Sequence, residues 1–317
     1  MLATGVLAAL LAAPVRADDA AATDEGSTGA KGSTAGTGST DGGDARGSSG
    51  TTVPVTTDEG GRRLRVDEMP AIDVVGHRES GLREEDLVGE NEQPRWTAHR
   101  RFPTTRVYVI PAWQVDTEYW LRTKVERDGS VEFEHRQEIE IGLPYRFQFD
   151  FYQIETHEKD SGDLLLSQAF ELRYAFAKWG RLPGNPTTYF EWIHTEGHNP
   201  ESFELKILFG DEFAPRWHWG ANFIWEQELG GARETVAEWT PAVSYTIIDE
   251  VLSLGIEGKL EAASEEPHRD HYTENVRLGP SVQWRPFKRL HVDFAPLFGL
   301  TENSREADMY LIAGWEF

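Results

Sequence analysis

The sequence predicts an all-β protein: a transmembrane antiparallel up-and-down β-barrel of about twelve strands over residues 107–317, with a disordered amino-terminal segment before it. Three observations carry this. About twelve segments after residue 107 alternate polar and apolar residues, each near the length of a tilted bilayer crossing. The turns between them alternate between short and longer, polar ones. The chain closes on an alternating, aromatic-ended strand, Ala307 to Phe317.

Leu2 to Val15 is a short apolar run, and Val15-Arg16-Ala17 suits a small-residue cleavage site, so residues 1–17 read as a secretory signal peptide. No Cys follows, which excludes a lipoprotein anchor. Residues 18–62 are mostly Gly, Ser, Thr, Ala and Asp; they lack the apolar surface for a core and read as a flexible linker. Residues 63–106 carry more charge but no clear period, and read as a periplasmic amino-terminal segment. Within them, Glu68 to Gly76 is a short apolar, extended patch.

The barrel segments follow in order. Trp113–Glu126 places Val115, Thr117, Tyr119, Leu121 and Val125 outward, with Asp116, Glu118, Arg122 and Lys124 inward. Val131–Ile141 gathers Glu132, Glu134, Arg136, Glu138 and Glu140 on one inner face. Tyr145–Gln153 sets Tyr145, Phe147, Phe149 and Phe151 against Arg146, Gln148 and Asp150. Leu164–Phe176 turns Glu171 and Arg173 inward. Thr187–Thr195, Phe203–Phe209 and Trp217–Glu228 come next, the last with four aromatics opposite His218, Asn222 and Glu226. Glu234–Ile247, Leu252–Glu261, Glu274–Trp284, Leu290–Leu300 and Ala307–Phe317 complete the set. Pro241, Pro280 and Pro296 sit at outward positions and predict bulges or local edges, since proline removes a ladder bond.

Short turns fall at 142–144, 248–250 and 285–289, and longer ones at 157–163, 196–202, 263–273 and 302–306. Trp113, Tyr145, Trp179, Trp217, Tyr245, Trp284, Trp315 and Phe317 gather near the short turns, as an interfacial belt requires. A soluble sandwich or lipocalin-like barrel would bury its apolar face inward on strands nearer five or six residues. The long alternating segments favour the membrane barrel.

In the last strand Ala307, Met309, Leu311, Ala313, Trp315 and Phe317 share one face, and Asp308, Tyr310, Ile312, Gly314 and Glu316 the other. This strand resembles the closing strand of bacterial outer-membrane β-barrel proteins, of the porin-like or transporter-like kind. The resemblance implies a Gram-negative outer membrane as location. It also implies that Tyr310, Trp315 and Phe317 form the signal read by the barrel-assembly machinery.

Formal charge is −23, with 54 acids against 31 bases, so the average field disfavours phosphate-led nucleic-acid binding, and cations or neutral solutes are the easier partners. Mean hydropathy of −0.52 argues against a polytopic helical protein. The expected lumen lining is Asp116, Glu118, Arg122, Glu132, Glu134, Arg136, Glu138, Glu140, Arg146, Asp150, Glu171, Arg173, Glu226, Glu257, Arg277 and Asp293. Carboxylates lining a narrow aqueous passage favour cations. The row Glu132, Glu134, Glu138 and Glu140 therefore predicts an acidic stripe in contact with water. The competing possibility is that these charges pair across strands and plug the lumen.

Other chemistries carry less. The loop histidines His194, His198, His268 and His271 lie near carboxylates, but an i, i+4 pair on an extended chain is about 13 Å apart. No metal and no cofactor is expected. A phospholipase-like barrel hydrolase would need a seryl neighbour for His135, His218 or His291, and none is evident in sequence. A structural or surface-binding barrel is the third alternative. Ile72 to His77 resembles the short box by which TonB-dependent receptors pair with an energising periplasmic protein, which would imply such a partner through Ile72–Gly76.

Overall fold

The computed structural model describes residues 81–317, apart from 160–163 and 198. The expected signal peptide, the 18–62 linker, residues 63–80 with the Ile72–Gly76 patch, and His198 lie outside the described residues.

A two-residue hairpin, β1 (Leu87–Val88) with β2 (Gln93–Pro94), precedes the long strands. These are β3 (Val115–Val125), β4 (Val131–Leu143), β5 (Phe147–Glu158), β6 (Leu164–Ala175), β7 (Thr187–Thr195) and β8 (Ser202–Ala214). They continue as β9 (Trp217–Glu228), β10 (Thr235–Ile248), β11 (Leu252–Ser264), β12 (Thr273–Phe287), β13 (Leu290–Gly299) and β14 (Ala307–Glu316). Each pairs antiparallel with the next, and β14 pairs with β3 to close a barrel. The closure is continuous from Ala307 opposite Val125 to Glu316 opposite Asp116, and the Phe317 N–H adds a bond of 2.9 Å to Val115 O.

The alternation in sequence becomes an inside-out distribution. Phe223 and Ile256 are 54% and 60% exposed on the outer wall, while Glu257 and Asn222 beside them are buried inside. Such a wall is stable in hydrocarbon and would be an aggregation surface in water. Strands of 9 to 15 residues are long enough to span the apolar layer at a tilt.

The prolines do less than expected. Register across β12 and β13 is unchanged from Leu278–Phe298 to Val282–Phe294, so the stretch holding Pro280 and Pro296 loses ladder partners without a bulge. The register shifts instead lie near the short-turn end, at Thr246/Ile248, Glu212/Ala214 and Trp284/Phe287. Two placements also differ from the sequence reading. Arg146 belongs to the 3-10 turn Pro144–Arg146 at the rim, where it donates to Ala175 O (3.0 Å) and Tyr174 Oη (3.1 Å), so it is not on a strand. Trp179 is 6% exposed and belongs to no outer belt. It sits in the connection between β6 and β7 and packs edge-on against Trp96 (5.6 Å) and Tyr108 (5.3 Å).

Those contacts reveal what fills the barrel. Residues 82–112, set apart from the barrel in sequence, fold into its lumen from the short-turn end as an internal strap. The N–H groups of Arg83 and Glu84 donate to the Asp249 carboxylate at 2.9 and 3.1 Å. Trp96, Phe102, Tyr108 and Val109 then form an apolar core with Trp179 and Ala242. Inward-facing glycines make the seat. Gly210 and Gly220 are register partners, and a Cβ on Gly220 would stand 3.0 Å from Thr105 and 3.2 Å from both Phe102 and Val107. At Gly142 an added Cβ would fall 1.9 Å from the Pro111 carbonyl oxygen, so only glycine lets the strap pass there.

Candidate functional site

The ladders bring together a row of carboxylates that no single segment displays. Glu316 on β14 is the register partner of Asp116 on β3, which is opposite Glu140 on β4, which is opposite Asp150 on β5. Asp150 faces Glu171 on β6, then Glu191 on β7, Glu204 on β8 and Glu226 on β9. Register partners stand about 5 Å apart, and like charges in that position repel. Because barrel strands tilt, a row along the hydrogen-bond direction climbs the wall as a spiral. This one starts at Glu316, the last residue of β14 at the short-turn end. It reaches Glu226, near the loop end of β9.

Cations from the adjacent row partly compensate it. Gln148, Arg173, Tyr189 and Lys206 follow one another in register one row away. Arg173 pairs with Asp150 (2.8 Å) and with Glu171, and Lys206 pairs with Glu204. The Tyr189 hydroxyl lies 2.9 Å from Glu191 and 2.7 Å from Glu204. Among the described residues, Glu191 and Glu226 have no ion-pair partner.

The lower part of the spiral is met by the strap. Arg100 Nε donates to Glu118 Oε1 at 2.8 Å, and its Nη2 reaches Glu118, Glu138 (3.3 Å) and Glu140 (3.3 Å). Its guanidinium lies 4.3 Å from the Trp120 ring centroid, a cation–π contact that desolvation strengthens. Arg106 pairs with Glu138 at 2.9 Å and with Glu140. Burial works against the Arg106 charge, but Glu140 and Glu138 outweigh it and raise its pKa, so it stays a cation. The Glu118, Glu138 and Glu140 oxygens lie within 4.8 Å of one another, close enough to hold a metal ion, and the two arginines supply the positive charge there instead. Thr104 adds two bonds to Glu257 (2.7 and 2.5 Å), and the Asn222 amide clasps both backbone groups of Arg106. Lower still, His99 Nδ1 lies 2.8 Å from Glu316, whose other oxygen takes Arg285 at 2.7 Å. Burial and the nearby Arg285 lower the His99 pKa to about 4.

Around the strap, the voids are of about 20 and 10 Å³, each room for roughly one water. Above it lies a cavity of about 320 Å³ lined by Arg122, Arg136, Glu191, Glu204, Lys206, Glu226 and Lys259, with Tyr152, Tyr189 and Tyr310 among them. A second space of about 260 Å³ at the loop end shares Glu226 and Val236 with it.

The expected lining residues are distributed as follows. Asp116, Glu118, Glu134, Glu138, Glu140, Asp150, Glu171, Arg173, Glu257, Arg277 and Asp293 are buried, and Arg122, Glu132, Arg136 and Glu226 are partly exposed. The water-facing stripe expected at Glu132–Glu140 is not what forms: Glu138 and Glu140 are each 1% exposed, sealed beneath Arg100 and Arg106. Higher on the same strand, Glu134 is held by Lys124 (2.9 Å) and Arg136 (2.5 Å), and Lys124 also takes Glu132 (2.5 Å). Arg122 and Arg277 converge on Asp308, each at 2.8 Å. His291 bridges Asp293 (2.7 Å) and Glu118 (3.4 Å), its ring lying over Gly314. Among the described residues no seryl hydroxyl is hydrogen-bonded to a histidine. His194 pairs with Glu201 (3.0 Å), and the His268 and His271 rings lie 6.2 Å apart.

Sequence reasoning missed Arg100, Arg106, Trp96 and Phe102. A usable signal was present: Arg95, Arg100, Arg101 and Arg106 cluster just before an acid-lined barrel, and glycines fall at inward positions of β8 and β9.

No protein-family model and no curated protein matches this sequence. Among solved structures, the chain is similar to NanC porin at 12% identity, covering 64% of this chain and 98% of that one, with a TM-score of 0.44. It is similar to KdgM porin at 8% identity, covering 64% and 99%, with a TM-score of 0.44. An outer membrane channel from Pseudomonas putida F1 gives 10% identity, 67% and 98% coverage, and a TM-score of 0.49. Likeness at this level says nothing of function.

Proposed function

We propose that this chain is an outer-membrane, porin-like channel for small solutes with a preference for cations. The observation that carries it is the carboxylate spiral from Glu316 to Glu226, which follows the lumen wall from the short-turn end to the loop-end cavity. Charged side chains in repulsive register are costly in a wall whose other positions could be neutral. Carboxylates along a narrow passage stabilise passing cations and repel anions. The cavity of about 320 Å³ above the strap has room for a small hydrated solute, and most of its lining residues are charged or tyrosine side chains. The short-turn end, holding both the strap and the carboxy terminus, is assigned to the periplasm. Tyr310, Trp315 and Phe317 on the closing strand are assigned to recognition by the barrel-assembly machinery, and Ile72–Gly76 to contact with a periplasmic partner.

Purified protein in liposomes tests the channel. Potassium entrapped in the vesicles should leave faster than from empty vesicles, and faster than an anion of similar size. Efflux equal to that of empty vesicles would refute the assignment.

A further inference from the structure

Resting on the channel reading, we propose that residues 82–112 are a gate. Docked, the strap closes the lumen at the short-turn end, with Arg100 and Arg106 as tethered cations standing where permeating cations would otherwise sit; released, it opens a continuous acidic passage.

Three observations converge. The first is closure: among the described residues, the spaces lined by the strap at the short-turn end are of about 20 and 10 Å³, room for single waters, against about 320 Å³ above it. The second is the chemistry of the contact. Glu118, Glu138 and Glu140 crowd within 4.8 Å of one another and are neutralised from the strap, by Arg100 and Arg106, as well as by His291 of β13. Without the strap these carboxylates need cations from solution, so opening and cation entry are coupled.

The third is the way the strap is held. Wall strands are joined by continuous backbone ladders. The strap is joined to the wall mainly by side chains, such as Thr104 to Glu257, Asn222 to Arg106 and Trp96 to Glu212. Among the described residues, its backbone-to-backbone bonds to the wall are Asn91 O to Trp179 N–H and those at Trp113–Gln114, where the strap becomes β3. The strap can therefore leave as a unit without breaking the barrel.

The protein has no cysteine, so an engineered pair is unambiguous. A Cβ on residue 220 would stand 3.0 Å from the Thr105 γ-carbon, within reach of a disulfide. The Thr105→Cys/Gly220→Cys protein is recorded in planar bilayers in KCl, oxidised and then reduced, with Arg100→Gln/Arg106→Gln alongside. Expected are baseline current when oxidised, cation current after reduction, and a higher open fraction in the arginine variant. Equal, non-zero current in the oxidised and reduced states overturns the gate and leaves the channel standing. No current from either reduced protein, each confirmed as a folded barrel by heat-modifiable mobility, overturns the gate and the channel together.

Discussion

Glu204 is the register partner of Glu191, and the Tyr189 hydroxyl lies within hydrogen-bond reach of both. One proton cannot serve two carboxylates, and Lys206 pairs with Glu204 rather than with Glu191. The wall thus retains two carboxylates in register, with one hydroxyl proton and one lysine between them. Glu191→Gln should therefore stabilise the barrel, by about 0.2–1 kcal/mol, while lowering cation preference. Urea unfolding followed by tryptophan fluorescence gives the first quantity. A destabilised variant would mean that Glu191 is held by attraction.

Phe102 is fully buried between the strap and the inner wall. Phe102→Ala should weaken strap docking by about 3–5 kcal/mol, as for other large core truncations. Limited proteolysis should then cut within 82–112 while the barrel keeps its heat-modifiable gel mobility. Resistance equal to wild type would show that the strap is held otherwise.

Gly142 makes a stricter test of the same seat. An alanine there would set its Cβ 1.9 Å from Pro111 O, a backbone atom that cannot rotate away. Gly142→Ala should expose the strap to protease as Phe102→Ala does, whereas Gly258→Ala, whose added Cβ would meet only wall side chains at 3.3 Å and beyond, should leave the strap protected. Protection of the strap in Gly142→Ala would contradict the close passage.

His99 gives a pH dependence. Its folded pKa of about 4 lies below the ordinary 6.5, depressed first by burial and then by Arg285, against the opposing pull of Glu316. A released strap binds that proton more readily than a docked one. Docking is therefore at full strength above about pH 6.5 and loses up to about 3 kcal/mol as pH falls toward 4. Protease sensitivity of residues 82–112 should rise over that window in wild type and less so in His99→Gln. A flat wild-type profile would remove His99 from the account.

Most of the wall was legible in sequence because a period-2 pattern fixes which side of a strand each residue takes. Glu118, Glu138, Asp150 and Glu171 all face inward as the alternation requires. The spiral was not legible, since a ladder of partners from Glu316 to Glu226 depends on register between strands, and alternation is blind to register shifts of two. The strap was missed for another reason. Its residues have neither period, because Arg100, Thr104 and Arg106 follow the shape of the lumen wall rather than a repeating backbone. Arg146 was misplaced because parity was carried two residues too far, into a turn where Tyr145 and Arg146 both have positive φ.

The most direct measurement of the central claim is the reversal potential of the wild-type channel in a planar bilayer with a KCl gradient. It is compared with that of Glu191→Gln/Glu204→Gln/Glu226→Gln. Carboxylates along the passage predict a wild-type potential of the sign set by potassium, moving toward zero in the triple variant. A potential of the sign set by chloride, or one unchanged in the variant, would contradict the claim.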